Sequence, residues 1–287
     1  MLSRNLMPKP IPLYDPKRKF VLYTNAKCGG TTLKAWFFAN LNWNSDFCDV
    51  REVASIFGVR FALALTFLGR YRRGLPKRVD YFDPQQIRLL SDLYRLYYCQ
   101  YRLEHTVPPG TKSICVCRNP YSRAASAFLD KFCGSDRDHE YVRSIGRKIR
   151  KSGDISFLEF LECIDSQDEA RLDPHWRRQT YILEGKEVDH FIRLENLKAD
   201  LITLSNIVGS DFIGIVDMEL QSTGVEKACL DGQVANIDLS RIRASKIIAM
   251  KSQFGAYPSK NSLLTAAAKK LIERIYEKDF ERLPYRV

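Results

Sequence analysis

Lys27, Gly29, Gly30, Thr31 and Thr32 fall within the stretch Lys27-Cys28-Gly29-Gly30-Thr31-Thr32-Leu33, a combination suited to holding a phosphate-like anion. Two glycines let the backbone approach a ligand closely, and two hydroxyls follow. The helix-like Leu33-Lys34-Ala35-Trp36-Phe37-Phe38 would then present the positive end of its dipole to the same anion. This is not the GxxxxGK[ST] order of a Walker A loop, because the lysine precedes the glycines. At the head of the turn, Lys27 can reach the oxygen that bridges a nucleotide's terminal group, while Thr31 and Thr32 serve the 5′-phosphate beside it. A tight strand-to-helix turn without a ligand would use the same residues. A second segment, Cys117-Arg118-Asn119-Pro120-Tyr121-Ser122-Arg123-Ala124-Ala125-Ser126-Ala127-Phe128, puts an arginine at the end of a strand and a serine inside the next helix. A guanidinium can take a phosphate through two hydrogen bonds, and Ser126 can add a third. Taken singly, Arg118 reads equally as a surface ion-pair partner and Ser126 as a small residue between helices.

Together these segments resemble the cofactor signatures of sulfotransferases that use 3′-phosphoadenosine 5′-phosphosulfate (PAPS), in the carbohydrate sulfotransferase-like branch of the family 2 type. Lys27 to Leu33 is similar to that family's 5′-phosphosulfate loop, and Arg118 to Phe128 to its 3′-phosphate motif. Downstream, Asp173-Pro174-His175-Trp176-Arg177-Arg178-Gln179 resembles its His-Trp…Gln segment. Phe191 to Leu197 resembles its strand ending in Glu-Asn-Leu, and Ile275 to Tyr285 its closing Tyr…Asp-Phe…Tyr helix. The segments follow the family's order from Phe20 to Tyr285. The resemblance implies a P-loop-like α/β domain and sulfuryl transfer to a hydroxyl of a carbohydrate or glycolipid, with adenosine 3′,5′-bisphosphate (PAP) as product. Lys27, Cys28, Gly29, Gly30, Thr31, Thr32, Leu33, Arg118 and Ser126 would bind the donor, and no metal and no nucleic acid would be required. Two departures stand out: Ala26 occupies a position where the family often has proline, and no catalytic base aligns with certainty.

Sulfuryl transfer needs in-line geometry and neutralisation of charge on the leaving oxygen, which assigns Lys27 to the leaving group. The acceptor hydroxyl needs a base, and histidine has a suitable pKa. His105 lies between the two cofactor segments and reads either as that base or as a loop histidine before Val107-Pro108-Pro109. His175 reads either as part of the acceptor cleft or as a structural partner of Trp176. His190 is expected in a buried strand and His139 in solvent, and Asp46, Asp49 or Glu52 could supply a carboxylate instead. Arg177, Arg178 and the run Arg147 to Lys151 could meet an anionic acceptor, though such runs are usually solvated faces.

The elements that must position these groups are legible in outline. Residues 1–19 read as a proline-rich, basic arm packed on the domain but outside its core, and residues 20–287 as one sulfotransferase-like domain. The apolar run Phe20 to Thr24 predicts a strand, followed by a helix. Asp83-Pro84 would start a helix carrying Ile87 to Tyr98. Ser113 to Cys117 has the short apolar pattern of a buried parallel strand, and Asn119-Pro120 caps a helix through Phe132. The stretch from Gly134 to Gly153 is charged and weakly helical. Ser156 caps a helix beginning at Phe157, Asp189 to Leu194 predicts a strand, and Glu195 to Val208 a helix stopped by Gly209. A last helix starts from Asn261 or Ser262. Alternating strands and helices without an internal repeat predict an α/β fold around a mainly parallel sheet.

At 287 residues and 45% apolar content the chain can bury one sizeable core. A formal charge of +11 favours anionic ligands. The eight cysteines lack CxxC spacing and disulfide-scaffold density, so they read as reduced core thiols. No apolar leader precedes a cleavage site and no apolar stretch is long enough to span a bilayer, so a cytoplasmic protein, at most peripheral at a membrane, is expected. A nucleotide-dependent kinase and a non-catalytic polyanion-binding protein are the alternatives, the first opposed by the missing GK[ST].

Overall fold

The computed structural model describes residues 12–15, 18–40, 51, 91, 108–134, 137, 140–208 and 238–287. Among them a four-stranded sheet runs in the order β1 (Leu13–Asp15), β2 (Phe20–Thr24), β3 (Lys112–Cys117), β4 (His190–Arg193). β2, β3 and β4 are parallel, in register Thr24 with Val116 and Val116 with Ile192, while β1 lies antiparallel on the β2 edge. This is an α/β fold on a mainly parallel sheet. β1 corrects the expected arm: Leu13, Tyr14 and Asp15 are buried, and the first two join the sheet's core. The short apolar spacing of Leu13 and Tyr14 is enough to pair once β2 offers an open edge.

The residues after β2 form α1 (Gly30–Asn40), in which Leu33 and every residue from Ala35 onward are buried, with Trp36, Phe37 and Phe38 almost wholly inside. Each such side chain contributes roughly 1.5–3 kcal/mol of burial free energy. α1 and α5 (Leu197–Val208) share one core with the strands. A second core is built by helices: α2 (Pro120–Phe132), α4 (Phe157–Asp165), α6 (Ala244–Phe254) and α7 (Ala266–Ile275). Its centre is an aromatic cluster in which Trp176 meets Phe160 edge-on at 5.5 Å and Phe132 at 6.3 Å.

Most predicted boundaries follow their capping chemistry. Asn119 Oδ1 accepts from the N–H groups of Tyr121 and Ser122, and Pro120 opens α2. Ser156 and Glu159 form a reciprocal capping box on α4. Three boundaries differ. The charged stretch after Gly134 contains a full helix, α3 (Glu140–Ile149). Leu194–Asn196 is a 3₁₀ turn, so α5 begins at Leu197. The last helix is capped by Thr265 rather than Asn261 or Ser262, which sit in the preceding 3₁₀ turn; it breaks at Tyr276 into α7 and α8 (Glu277–Arg282). The helix predicted from Asp83, together with His105, His139, Asp46, Asp49 and Glu52, lies outside the described residues.

Candidate functional site

β2 and β3 are neighbouring parallel strands, so the residues that leave their carboxyl ends emerge side by side. Open α/β sheets bind ligands at that edge. From β2 the chain turns through Asn25 to Gly29 into α1. Lys27 and Gly29 both adopt left-handed backbone, φ 67° and 72°. That conformation is costly for lysine and so marks a position held by its surroundings. A Cβ on Gly29 would stand 2.7 Å from Leu194 Cδ1, so glycine is favoured there by its left-handed backbone and, to a lesser degree, by the space Leu194 takes. A Cβ on Gly30 would meet nothing nearer than the Asn25 carbonyl oxygen at 3.9 Å. Neither packing nor backbone conformation demands glycine at position 30, and the space beside its backbone is open.

α1 has no acidic residue in its first turn. The Leu33 N–H closes the first helical bond on the Gly29 carbonyl at 2.9 Å, and the N–H groups before it lie in the turn whose donors a helix cannot satisfy itself. Thr31 is exposed and Thr32 half-buried, so both residues lie at the surface of this turn. Leu33 is an exception among the candidates: its amide is occupied and its side chain is wholly buried in the sheet core. Cys28 is also buried, its thiol donating to Gln179 Oε1 at 3.0 Å, and burial pushes that thiol up to about 11. Its side chain therefore serves the framework. Lys27 Nζ stands 2.6 Å from Asp130 Oδ2. Burial pulls the ammonium below its ordinary pKa, and the Asp130 carboxylate only partly offsets this.

Arg118 leaves β3 buried. Its Nη1 donates to the Lys27 carbonyl at 3.1 Å and to Ser126 Oγ at 3.2 Å, and its Nε to Ser122 Oγ at 3.2 Å. Ser122, Ser126 and Asp130 repeat every four residues and so share one face of α2. That face meets both Arg118 and Lys27. The structure thus joins the two sequence segments directly, and the surface ion-pair reading of Arg118 does not survive its burial.

Sequence reasoning missed the framework that holds these groups. Arg123, 1% exposed, donates to three main-chain oxygens: Ala26 at 3.1 Å, Arg177 at 2.9 Å and Pro174 at 3.0 Å. One guanidinium therefore fixes the His-Trp segment against the residue preceding Lys27. Glu195 receives the Asn119 N–H at 2.9 Å, Ser122 Oγ at 3.2 Å and Tyr285 Oη at 2.6 Å. Nothing in the local pattern of Arg123 announces this, since its acceptors are distant carbonyls. Only the Asn-Pro start of its helix hinted at the right face.

His175 sits within the clamped segment. Its Nδ1 lies 2.5 Å from Asp173 Oδ1, which also accepts the His175 N–H at 2.8 Å. Burial raises the Asp173 carboxyl, but the bonds from His175 outweigh it and hold Asp173 below its ordinary pKa. An ionised Asp173 makes Nδ1 the protonated nitrogen and leaves Nε2 as the proton acceptor. Trp176, buried beside it, anchors the turn in the aromatic cluster. His190 is only half-buried at the start of β4.

Arg177 and Arg178, the candidates for meeting an anionic acceptor, are each held by neighbours in the fold. Arg177 is buried with its guanidinium 4.2 Å from the centre of the Tyr181 ring, and Arg178 is paired with Glu169 and Glu184. Both are engaged internally. Among the described residues, no group of three His, Cys, Asp or Glu side chains is placed to hold a metal ion. Also among them, no helix is long and apolar enough to cross a membrane.

The sequence profile of the sulfotransferase family matches residues 13–286 of this chain. No curated protein and no solved structure matches it.

Proposed function

The chain belongs to the sulfotransferase family, and from that premise we propose that it moves a sulfuryl group from PAPS to a hydroxyl of an acceptor of carbohydrate or glycolipid class, releasing PAP. The observation that carries the donor assignment is the pairing of two anion grips at one sheet edge. One is the Lys27 to Thr32 cradle and the other the Arg118–Ser126 pair, joined through Arg118 Nη1 and the Lys27 carbonyl. The open space above Gly30 and the unfilled first turn of α1 fit a phosphate group. The acceptor class rests on the likeness to the carbohydrate branch.

When bound, the donor supplies the sulfuryl group already activated by its linkage to phosphate. In this reading Lys27 neutralises charge on the leaving oxygen, aided by the dipole of α1. Gly29, Gly30, Thr31 and Thr32 hold the 5′-phosphate with main-chain N–H groups and hydroxyls, while Arg118 and Ser126 hold the 3′-phosphate. The acceptor's proton goes to a histidine. Of the two candidates, His105 lies outside the described residues. His175 is supported by its Asp173 partner and by the Arg123 clamp that keeps it beside the Lys27 turn.

Thermal shift tests the donor. PAP is expected to raise Tm and ATP is not, and Lys27→Ala and Arg118→Ala are expected to lose that response. Equal stabilisation by ATP would point to a nucleotide-dependent kinase, and none by either to a polyanion-binding protein. Transfer of labelled sulfate to glycans, glycolipids and small phenols identifies the acceptor. His175→Ala should then lower turnover by roughly 10²–10⁴-fold, the usual contribution of a general base; full turnover in that variant removes His175 from the role.

A further inference from the structure

Gln179 has no surface exposure, yet every hydrogen-bonding group it owns is used. Its Oε1 accepts from the Arg118 N–H at 2.8 Å and from the Cys28 thiol at 3.0 Å. Its Nε2 donates to the Arg118 carbonyl at 2.8 Å and to Asp279 Oδ2 at 3.5 Å. Its own carbonyl accepts from Asn25 Nδ2 at 2.9 Å, and its own N–H donates to Asp279 Oδ2 at 2.9 Å. One side-chain amide therefore grasps the peptide groups on both sides of Arg118, as a neighbouring strand would. The same residue holds Asn25 and Cys28, which flank Lys27.

We infer that Gln179 is the positioning residue that sets the spacing between the two anion grips, so that a ligand bearing two phosphates is held by both at once. This rests on the reading that the site takes a nucleotide phosphorylated at both ends of its ribose. The strand pairing of β2 with β3 brings the two loops near each other but leaves the peptides beyond Thr24 and Cys117 unpaired. Gln179 supplies the missing contacts there, and Asp279, with both oxygens engaged by Gln179 and Thr180, fixes Gln179 from behind. Burial excludes water from the whole set, so a misplaced amide has no solvent partner to replace a lost one.

The prediction concerns selectivity more than stability. Calorimetric binding of PAP, adenosine 5′-phosphate and adenosine 3′-phosphate is measured on the full chain, the Gln179→Met variant and the Cys28→Ala variant. The wild-type chain should prefer PAP over both monophosphates. Gln179→Met should cut that preference about tenfold, and Cys28→Ala, which removes the thiol's bond to Oε1 and leaves the Asn25 contact in place, several-fold. The monophosphates, each served by one grip, should change by less than about threefold. Cys28→Ala should cost only about 2–4 °C in Tm, so it decides the matter even where Gln179→Met fails to fold. An unchanged preference in folded Cys28→Ala, or equal weakening of all three ligands, overturns the role. A wild-type chain without any preference for PAP instead overturns the donor reading, and the inference with it.

Discussion

Glycine occupies positions 29 and 30 for different reasons, and substitution separates them. Gly29→Ala places a side chain in left-handed backbone and against Leu194. It should cost about 1–2 kcal/mol, with Leu194 turning aside. Gly30→Ala meets ordinary contacts only and lies at the start of a helix, so its Tm should match or slightly exceed that of the wild type. The Gly30→Ala protein should nonetheless lose stabilisation by PAP; full retention would mean that no anion lies over this turn. Asp173 offers a test by pH. His175 holds its carboxyl below the ordinary 3.8 against the upward push of burial, so the unfolded chain binds the proton more readily. The pair therefore adds stability above the ordinary carboxylate range and loses it as pH falls through the depressed folded value. Asp173→Asn should be destabilised at pH 7, and the gap to the wild type should close in acid, as read by denaturant midpoints.

Elements carry the next level, where caps decide boundaries. Ser156→Ala removes one half of the box that starts α4 and should lower stability by about 1 kcal/mol without altering nucleotide binding, because the hydroxyl it removes caps the Glu159 N–H and not a group of the candidate site. Chemical denaturation and PAP titration of the same variant check both parts. Such local signals are what made β2, β3, α2 and α4 readable: an apolar run or an Asn-Pro or Ser-x-x-Glu start acts within a few residues. Where the signal was local but duplicated, the boundary slipped. Thr265 caps α7 although Asn261 and Ser262 are equally good capping types, because the chain first makes a 3₁₀ turn that uses them. β1 was missed because a three-residue strand has almost no periodicity, and α3 was read as only weakly helical because charges outnumber the apolar residues of its inner face, Val142, Ile145 and Ile149. In the candidate site, Lys27, Arg118 and Ser126 were singled out by their likeness to the family's two motifs, and the fold brings them together. Arg123, Gln179 and Asp173 were not, since their roles consist of carbonyls and amides brought near by the fold.

Over the whole molecule, the site is closed by residues far apart in the chain. Gln179 meets Cys28 and Asn25 across 151 and 154 positions and Arg118 across 61, while Asp279 meets Gln179 across 100. Asp279 is fully buried and all its acceptors face donors. Asp279→Asn turns one oxygen into a donor pointed at donors and should cost about 2–5 kcal/mol, measurable as a lower denaturant midpoint. The order of synthesis gives this arrangement a further meaning. The Lys27 turn leaves the ribosome well before the carboxylate that seats Gln179, which lies in α8. A nascent polypeptide can form the first strand and helix and still lack a braced anion site. On the proposed reading, competence for the nucleotide waits for α8 to dock on Gln179, and stabilisation by PAP would report that this docking is complete.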